Sequence, residues 1–172
     1  MMKTKEYLIF ILFCFAFSGC SKSDDEGWSN DAIWPIDFSL LEGTWSLVDY
    51  SNEKIPWGNG TPEDYQNVSF VFSINDNNVS EDKLSAECNG TMVLNTKDGT
   101  YAQKPFVAFY NSQYAPGIYV GKQDSRGNFF MELFIRNLSE RKMVALSMNR
   151  NMPWSIDEKA RELRLRFEKI SR

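Results

Sequence analysis

Apolar and polar positions alternate along several stretches of this chain, each long enough to be a strand. Val68, Phe70, Phe72 and Ile74 interleave with Asn67, Ser69, Val71 and Ser73, which leaves one face apolar at period two. Phe129, Met131, Leu133 and Ile135 repeat the pattern, as do Val144, Leu146 and Met148. Shorter strands are predicted for Trp45 to Tyr50, Thr91 to Asn95, Lys104 to Tyr110 and Ile118 to Gly121. Turn-forming residues stand between them. Asn89-Gly90 and Asp98-Gly99 accept the positive φ angles that a tight hairpin requires. Asn75-Asp76-Asn77-Asn78, Arg126-Gly127 and Ser139-Glu140 predict further reversals. Links this short make neighbouring strands antiparallel. A sheet of about eight such strands, with no crossover helices, loses both exposed edges by closing on itself. The expected fold is all-β, a single up-and-down antiparallel β-barrel of about eight strands over residues 38–172.

The carboxyl terminus carries two periods at once. Ser155 with Glu158 forms a capping box, and Ile156, Ala160, Leu163, Phe167 and Ile170 make a helical stripe. Yet Leu163, Leu165 and Phe167 also alternate with Glu162, Arg164, Arg166 and Glu168. A barrel needs a last strand to pair with its first, and tertiary context overrides propensity. A short helix over about 155–161, followed by a strand to about Ile170, is therefore expected.

The amino-terminal pattern is of another kind. Lys3 and Lys5 precede an unbroken apolar run from Tyr7 to Phe17, the layout of a secretory signal over residues 1–19. The run is too short to span a bilayer, which takes roughly 20 apolar residues. Phe17-Ser18-Gly19-Cys20 then resembles the lipobox of bacterial lipoproteins. That resemblance implies that the signal is cut before Cys20, that the Cys20 thiol is lipidated, and that acyl chains such as palmitate hold the protein to a membrane. Ser23-Asp24-Asp25-Glu26 resembles the acidic export tag of some Gram-negative lipoproteins. It implies the outer membrane and exposure at the cell surface; a plain charged spacer is the other reading of the same residues. Residues 20–37 read as a tether, whose Trp28 and Trp34 are expected to fold back on the domain.

Composition narrows the chemistry. The net charge of −4 lacks the basic footprint that nucleic acid requires. The chain has no histidine, so it has no Ser-His-Asp triad, no Cys-His dyad and no imidazole for zinc. Of three cysteines, Cys14 leaves with the signal and Cys20 is taken by lipid. Cys88 is left alone and reads as a small hydrophobe, with no intramolecular disulfide. Asp76 to Asp82 lacks the glycine that a calcium loop needs at its sharp turn. No acidic pair stands out for hydrolysis. Neither enzyme activity, a cofactor nor a metal site is expected.

Leu41-Glu42-Gly43-Thr44-Trp45 resembles the G-x-W opening of the first strand in lipocalins, and the L-x-G-x-W start of lipocalin-like bacterial lipoproteins. The resemblance implies that Gly43 opens the strand and that Trp45 plugs the closed end of the barrel. It also implies an arginine from the last strand over that ring, Arg164 or Arg166. The long segment from Ser51 to Gln66, with Trp57 and Tyr65, matches the place where lipocalins carry a lid over the cavity mouth. Tyr110 to Gly117, with Tyr110 and Tyr114, is a second candidate rim. The function this implies is binding of a small apolar or sugar-like ligand. The alternative is a filled barrel that serves as an interaction or structural module for an outer-membrane protein partner. For that reading Phe130 and Phe134, on the strand face opposite Met131 and Leu133, are the candidate patch. Small barrels either fill with side chains or hold one ligand, so the interior separates the two.

Overall fold

The computed structural model describes residues 35–52, 55–59, 67–147 and 162–171. One 3-10 turn, η1 (Phe38–Leu41), leads into eight strands. They are β1 (Gly43–Ser51), β2 (Ser69–Val79), β3 (Ala86–Thr96), β4 (Gly99–Tyr110), β5 (Gly117–Val120), β6 (Met131–Leu138), β7 (Lys142–Ser147) and β8 (Leu163–Ser171). Each strand pairs antiparallel with the next, and β1 pairs with β8, closing a barrel in the order β1 to β8. The architecture is the expected lipocalin-like one. The strand proposed near the carboxyl terminus is β8; the helix proposed over 155–161 lies outside the described residues, as do Cys20, Trp28 and Trp34.

Up-and-down order fixes which loop lies at which end. η1 and the β2–β3, β4–β5 and β6–β7 links share the end where the chain enters from the tether. The β1–β2, β3–β4, β5–β6 and β7–β8 links share the far end. Within this frame the alternation works as the pleat demands. Trp45, Leu47, Phe70, Phe72, Met92, Leu94, Phe106, Ile118, Val120, Leu133, Leu165 and Phe167 all join one buried core.

Two expected turns are strand interior. Asn75 to Asn78 belong to β2, and Asn89-Gly90 sits in mid-β3; the reversal between them occurs at residues 80–85. The register slips by one residue between Ile74 and Asp76, a bulge that carries the asparagines into continued pairing with β3. Gly90 faces that bulge. A Cβ there would overlap the Ser73 carbonyl oxygen and lie 2.9 Å from the Phe106 ring, so glycine serves close approach rather than a turn. Asp98-Gly99 does make the β3–β4 hairpin, with Gly99 at φ 107°.

Candidate functional site

The tether end is built from the Leu41 to Trp45 motif, one residue at a time. The Leu41 carbonyl accepts the Trp45 indole N–H at 2.8 Å. The Glu42 carboxylate accepts the Ile74 backbone N–H at 2.6 Å, at the very residue where the bulge interrupts the β2 ladder. Gly43 takes φ 112°, a conformation that side chains resist, and this turns η1 into β1. Trp45 is fully buried against Phe38 and Leu41, which close this end. The cation over its ring is Lys169, with Nζ 4.8 Å from the centroid and donating to the Leu40 carbonyl at 2.6 Å.

That cation corrects the arginine expected from the motif. Register explains it: Lys169 lies across from Trp45, whereas Arg166 lies across from Asp49 and Arg164 across from Ser51, further up the wall. Arg164 pairs with Glu162 at 3.1 Å on the surface. Arg166 points outward, between the inward Leu165 and Phe167, and meets Asp49 at 3.7 Å. Its guanidinium lies 4.1 Å from the centre of the Trp57 ring. The Asp49 carboxylate also accepts the Gly58 backbone N–H at 3.2 Å. The described base of the long loop, residues 55–59, is thereby clasped to the outer wall of β1 and β8. Trp57 packs there, on the outside of the wall. Tyr65 lies outside the described residues.

Among the described residues, the inward side chains are packed. A side chain that lines an open chamber keeps water-accessible surface, yet Phe70, Phe72 and Phe167 are 0% exposed and Met131 and Leu133 are 1% exposed. Rings run across the bore in contact, Phe167 to Phe70 at 5.0 Å, Phe70 to Phe72 at 6.3 Å and Phe72 to Phe106 at 5.3 Å between centroids. Toward the far end Tyr50, Leu94 and Val120 are buried too. One polar atom there is distinctive: Ser147 Oγ is buried with no hydrogen-bond partner.

Tyr110 and Tyr114 stand at the tether end, away from the mouth for which they are candidates. β4 starts at the far-end hairpin and must finish at the opposite end, so the β4–β5 link cannot border the β1–β2 loop. Tyr110 packs its ring 5.7 Å from Phe38 and donates its hydroxyl to the Lys83 carbonyl at 3.3 Å. Burial, then the nearby Asp37 and Asp82, raise its pKa. Tyr114 is exposed and touches Phe109 edge-on.

The outer wall of β4 to β6 holds a ring cluster that strand pattern alone only half reveals. Tyr119 stacks on Phe109 at 5.0 Å and 18°, and also meets Phe129 and Phe134. Burial, then Glu132, raises the Tyr119 pKa. Phe134 thus belongs to an outer aromatic face. Phe130 does not share it: its ring lies under Lys104 Nζ at 5.7 Å and packs against the core. The β7 side chains Val144 and Leu146 are buried although they alternate with inward Met143, Ala145 and Ser147.

Cys88 is fully buried on the inner face of β3. Burial, then the charges of Asp76, Glu42 and Asp37, push its thiol up to about 11. At pH 8 about one such thiol in a thousand is ionised, against roughly a quarter of ordinary cysteines. Iodoacetamide at pH 8 is expected to leave Cys88 unmodified in the folded protein and to alkylate it in denaturant. Equal rates in both states would contradict the burial. Among known proteins, no family model, curated protein or solved structure matches this chain.

Proposed function

We propose that this chain is a lipid-anchored protein of the Gram-negative cell envelope whose lipocalin-like barrel is a filled, non-enzymatic interaction module. The observation that carries the reading is the packed bore, with Phe70, Phe72, Phe167, Met131 and Leu133 essentially without accessible surface. Barrels of this strand number either fill or enclose one ligand, and filling moves the working surface to the outside. The aromatic face of Phe109, Tyr119 and Phe134 is where a protein partner would dock. The Cys20 lipid, implied by the lipobox, holds that surface at the membrane, and the acidic residues Asp24, Asp25 and Glu26 favour the outer leaflet.

The ligand-binding reading keeps one specific support, Ser147 Oγ at the far end of the bore, which has no partner. A small apolar or sugar-like ligand with one hydrogen-bonding group would satisfy it, since a buried unpaired hydroxyl is costly. Titration of the protein with fatty acids, porphyrins and short glycans decides between the two. Under the filled-barrel reading tryptophan emission does not change saturably. A saturable change that weakens in Ser147→Ala would transfer the assignment to ligand binding.

Anchoring has its own test. Cys20→Ser is expected to abolish lipid labelling and to shift the protein from the membrane to the soluble fraction. A single acyl chain binds membranes only marginally, whereas two hold stably. Unchanged fractionation of the variant counts against the lipobox.

A further inference from the structure

The large apolar side chains left in solvent are not spread evenly over the barrel. Among the described residues, four of the six exposed large hydrophobics, Val79, Leu84, Tyr114 and Ile170 at 47%, 65%, 55% and 66%, stand at the tether end; Tyr101 stands at the far end and Val107 on the β4 wall. Single exposed hydrophobes are ordinary; their gathering at one end is not. Leu84 is also displayed by a tightly bonded loop. Ser80 N donates to the Ser85 carbonyl at 2.9 Å, and Ser85 N donates back to Ser80 Oγ at 3.0 Å. Asp82 accepts the Leu84 N–H at 2.9 Å and the Ser80 hydroxyl at 2.7 Å, and these bonds, the Leu84 N–H first, hold its carboxyl below the usual range. Lys83 takes φ 57° to complete the turn. A loop so constrained, with a leucine at its tip, presents that leucine outward by construction.

The path of the chain gives the second observation. Pro35, Asp82, Lys83, Leu84, Asn111 and Ser112 line one cleft of about 530 Å³. Pro35, the first described residue, therefore lies between the two loops that carry Leu84 and Tyr114. Fourteen residues separate Cys20 from Pro35. Fully extended they span at most about 50 Å. A lipid on Cys20 would keep this end within that distance of the bilayer.

We infer that the tether end of the barrel rests on the lipid surface, with Leu84 and Tyr114 immersed in its interfacial layer. The inference depends on the anchoring of Cys20 proposed above and adds the orientation of the barrel on the membrane. Tyrosine suits that layer, with an apolar ring below and a hydroxyl that stays hydrated. The contact is apolar rather than electrostatic, because Glu81, Asp82, Glu87 and Glu140 share this end with Lys83, Arg141 and Lys142 and leave it without a net positive face. A zwitterionic bilayer suffices, and added salt does not release it.

The lipidated full-length protein in phosphatidylcholine vesicles provides the test. Leu84→Cys, Tyr114→Cys and, at the far end, Arg126→Cys are each labelled with the fluorophore NBD; buried Cys88 stays unlabelled. Nitroxide-bearing phospholipid is expected to quench emission at 84 and 114 but not at 126. Equal emission at all three positions, with the protein still vesicle-bound, overturns the orientation and leaves the anchor standing. If Cys20 carries no lipid, the anchor reading fails by itself, and the surface is read from co-sedimentation of the unlipidated protein with the same vesicles. Binding lost in Leu84→Asp with Tyr114→Asp then supports the lipid contact, and absence of binding overturns it. A photo-crosslinker at position 84 that captures protein instead of lipid in intact cells overturns it as well, in favour of a protein partner.

Discussion

Replacing Trp45 with alanine is expected to cost about 3–5 kcal/mol of stability, the range for truncating a large buried ring. Typical domains are stable by only roughly 5–15 kcal/mol, so this is a large share of the total. The site cannot collapse to fill the void, because three separate restraints meet there. Phe38 and Leu41 are fully buried in the same core, the indole N–H is bonded to the Leu41 carbonyl, and Lys169 is held over the ring by the Leu40 carbonyl. Removal of the ring also leaves the Leu41 carbonyl without its donor and the Lys169 ammonium without its aromatic face. A soluble form starting after Cys20 is expected to melt about 10–15 °C lower with the substitution. A shift within error would show that the closed end does not depend on the motif that opens β1.

Gly90→Val is expected to be comparably damaging for the opposite reason, excess volume. A Cβ at position 90 falls on the Ser73 carbonyl oxygen and against Phe106. Overpacking costs typically about 1–3 kcal/mol, and more when the obstacle is backbone that cannot rotate away. Ser73 lies next to the bulge that sets the β2–β3 register, and Phe106 packs edge-on against Phe72 in the bore. The strain therefore reaches two strands. Urea midpoints of Gly90→Ala and Gly90→Val, each with and without Phe106→Leu, separate the obstacles. Shortening Phe106 is expected to restore only part of the loss, since the carbonyl remains. Full restoration would assign the close approach to the ring alone.

These two positions also mark what could be read in the sequence. Trp45 was legible in place and in role, because strand periodicity and the short motif around it point the same way. The barrel itself was legible, because period-two alternation and short links leave an antiparallel sheet few alternatives to closure. Gly90 was not: Asn89-Gly90 has the chemistry of a hairpin, and only the Ile74–Asp76 bulge on the partner strand turns it into a site of close packing. Bulges are a tertiary property and leave no residue signature. The same blindness gave an arginine over Trp45 where register supplies Lys169. Tyr110 and Tyr114 are a different kind of miss. Counting strands from β1 already assigns the β4–β5 link to the closed end, so parity held the answer and aromatic content misled. Trp57 was expected in a lid over the mouth and instead meets Arg166 on the outer wall; that partner is distant in sequence, and pairing across the β1–β8 seam is invisible until the barrel closes.

That seam has a consequence for how the molecule is carried. Thr44 pairs with Ser171, so the first and last strands finish side by side at one rim, and no strand is first or last in space. A short linker joining the end of β8 to the start of η1, with the chain opened at the exposed Arg126-Gly127 turn and the Cys20 segment moved to that new amino end, keeps every strand neighbour that the ring now has. Such a circular permutant would hang from its lipid by the opposite pole. The aromatic wall would stay on the flank, while the anchor would draw one pole to the bilayer and Leu84 and Tyr114 the other, so that the permutant sets the tether against the surface it now serves.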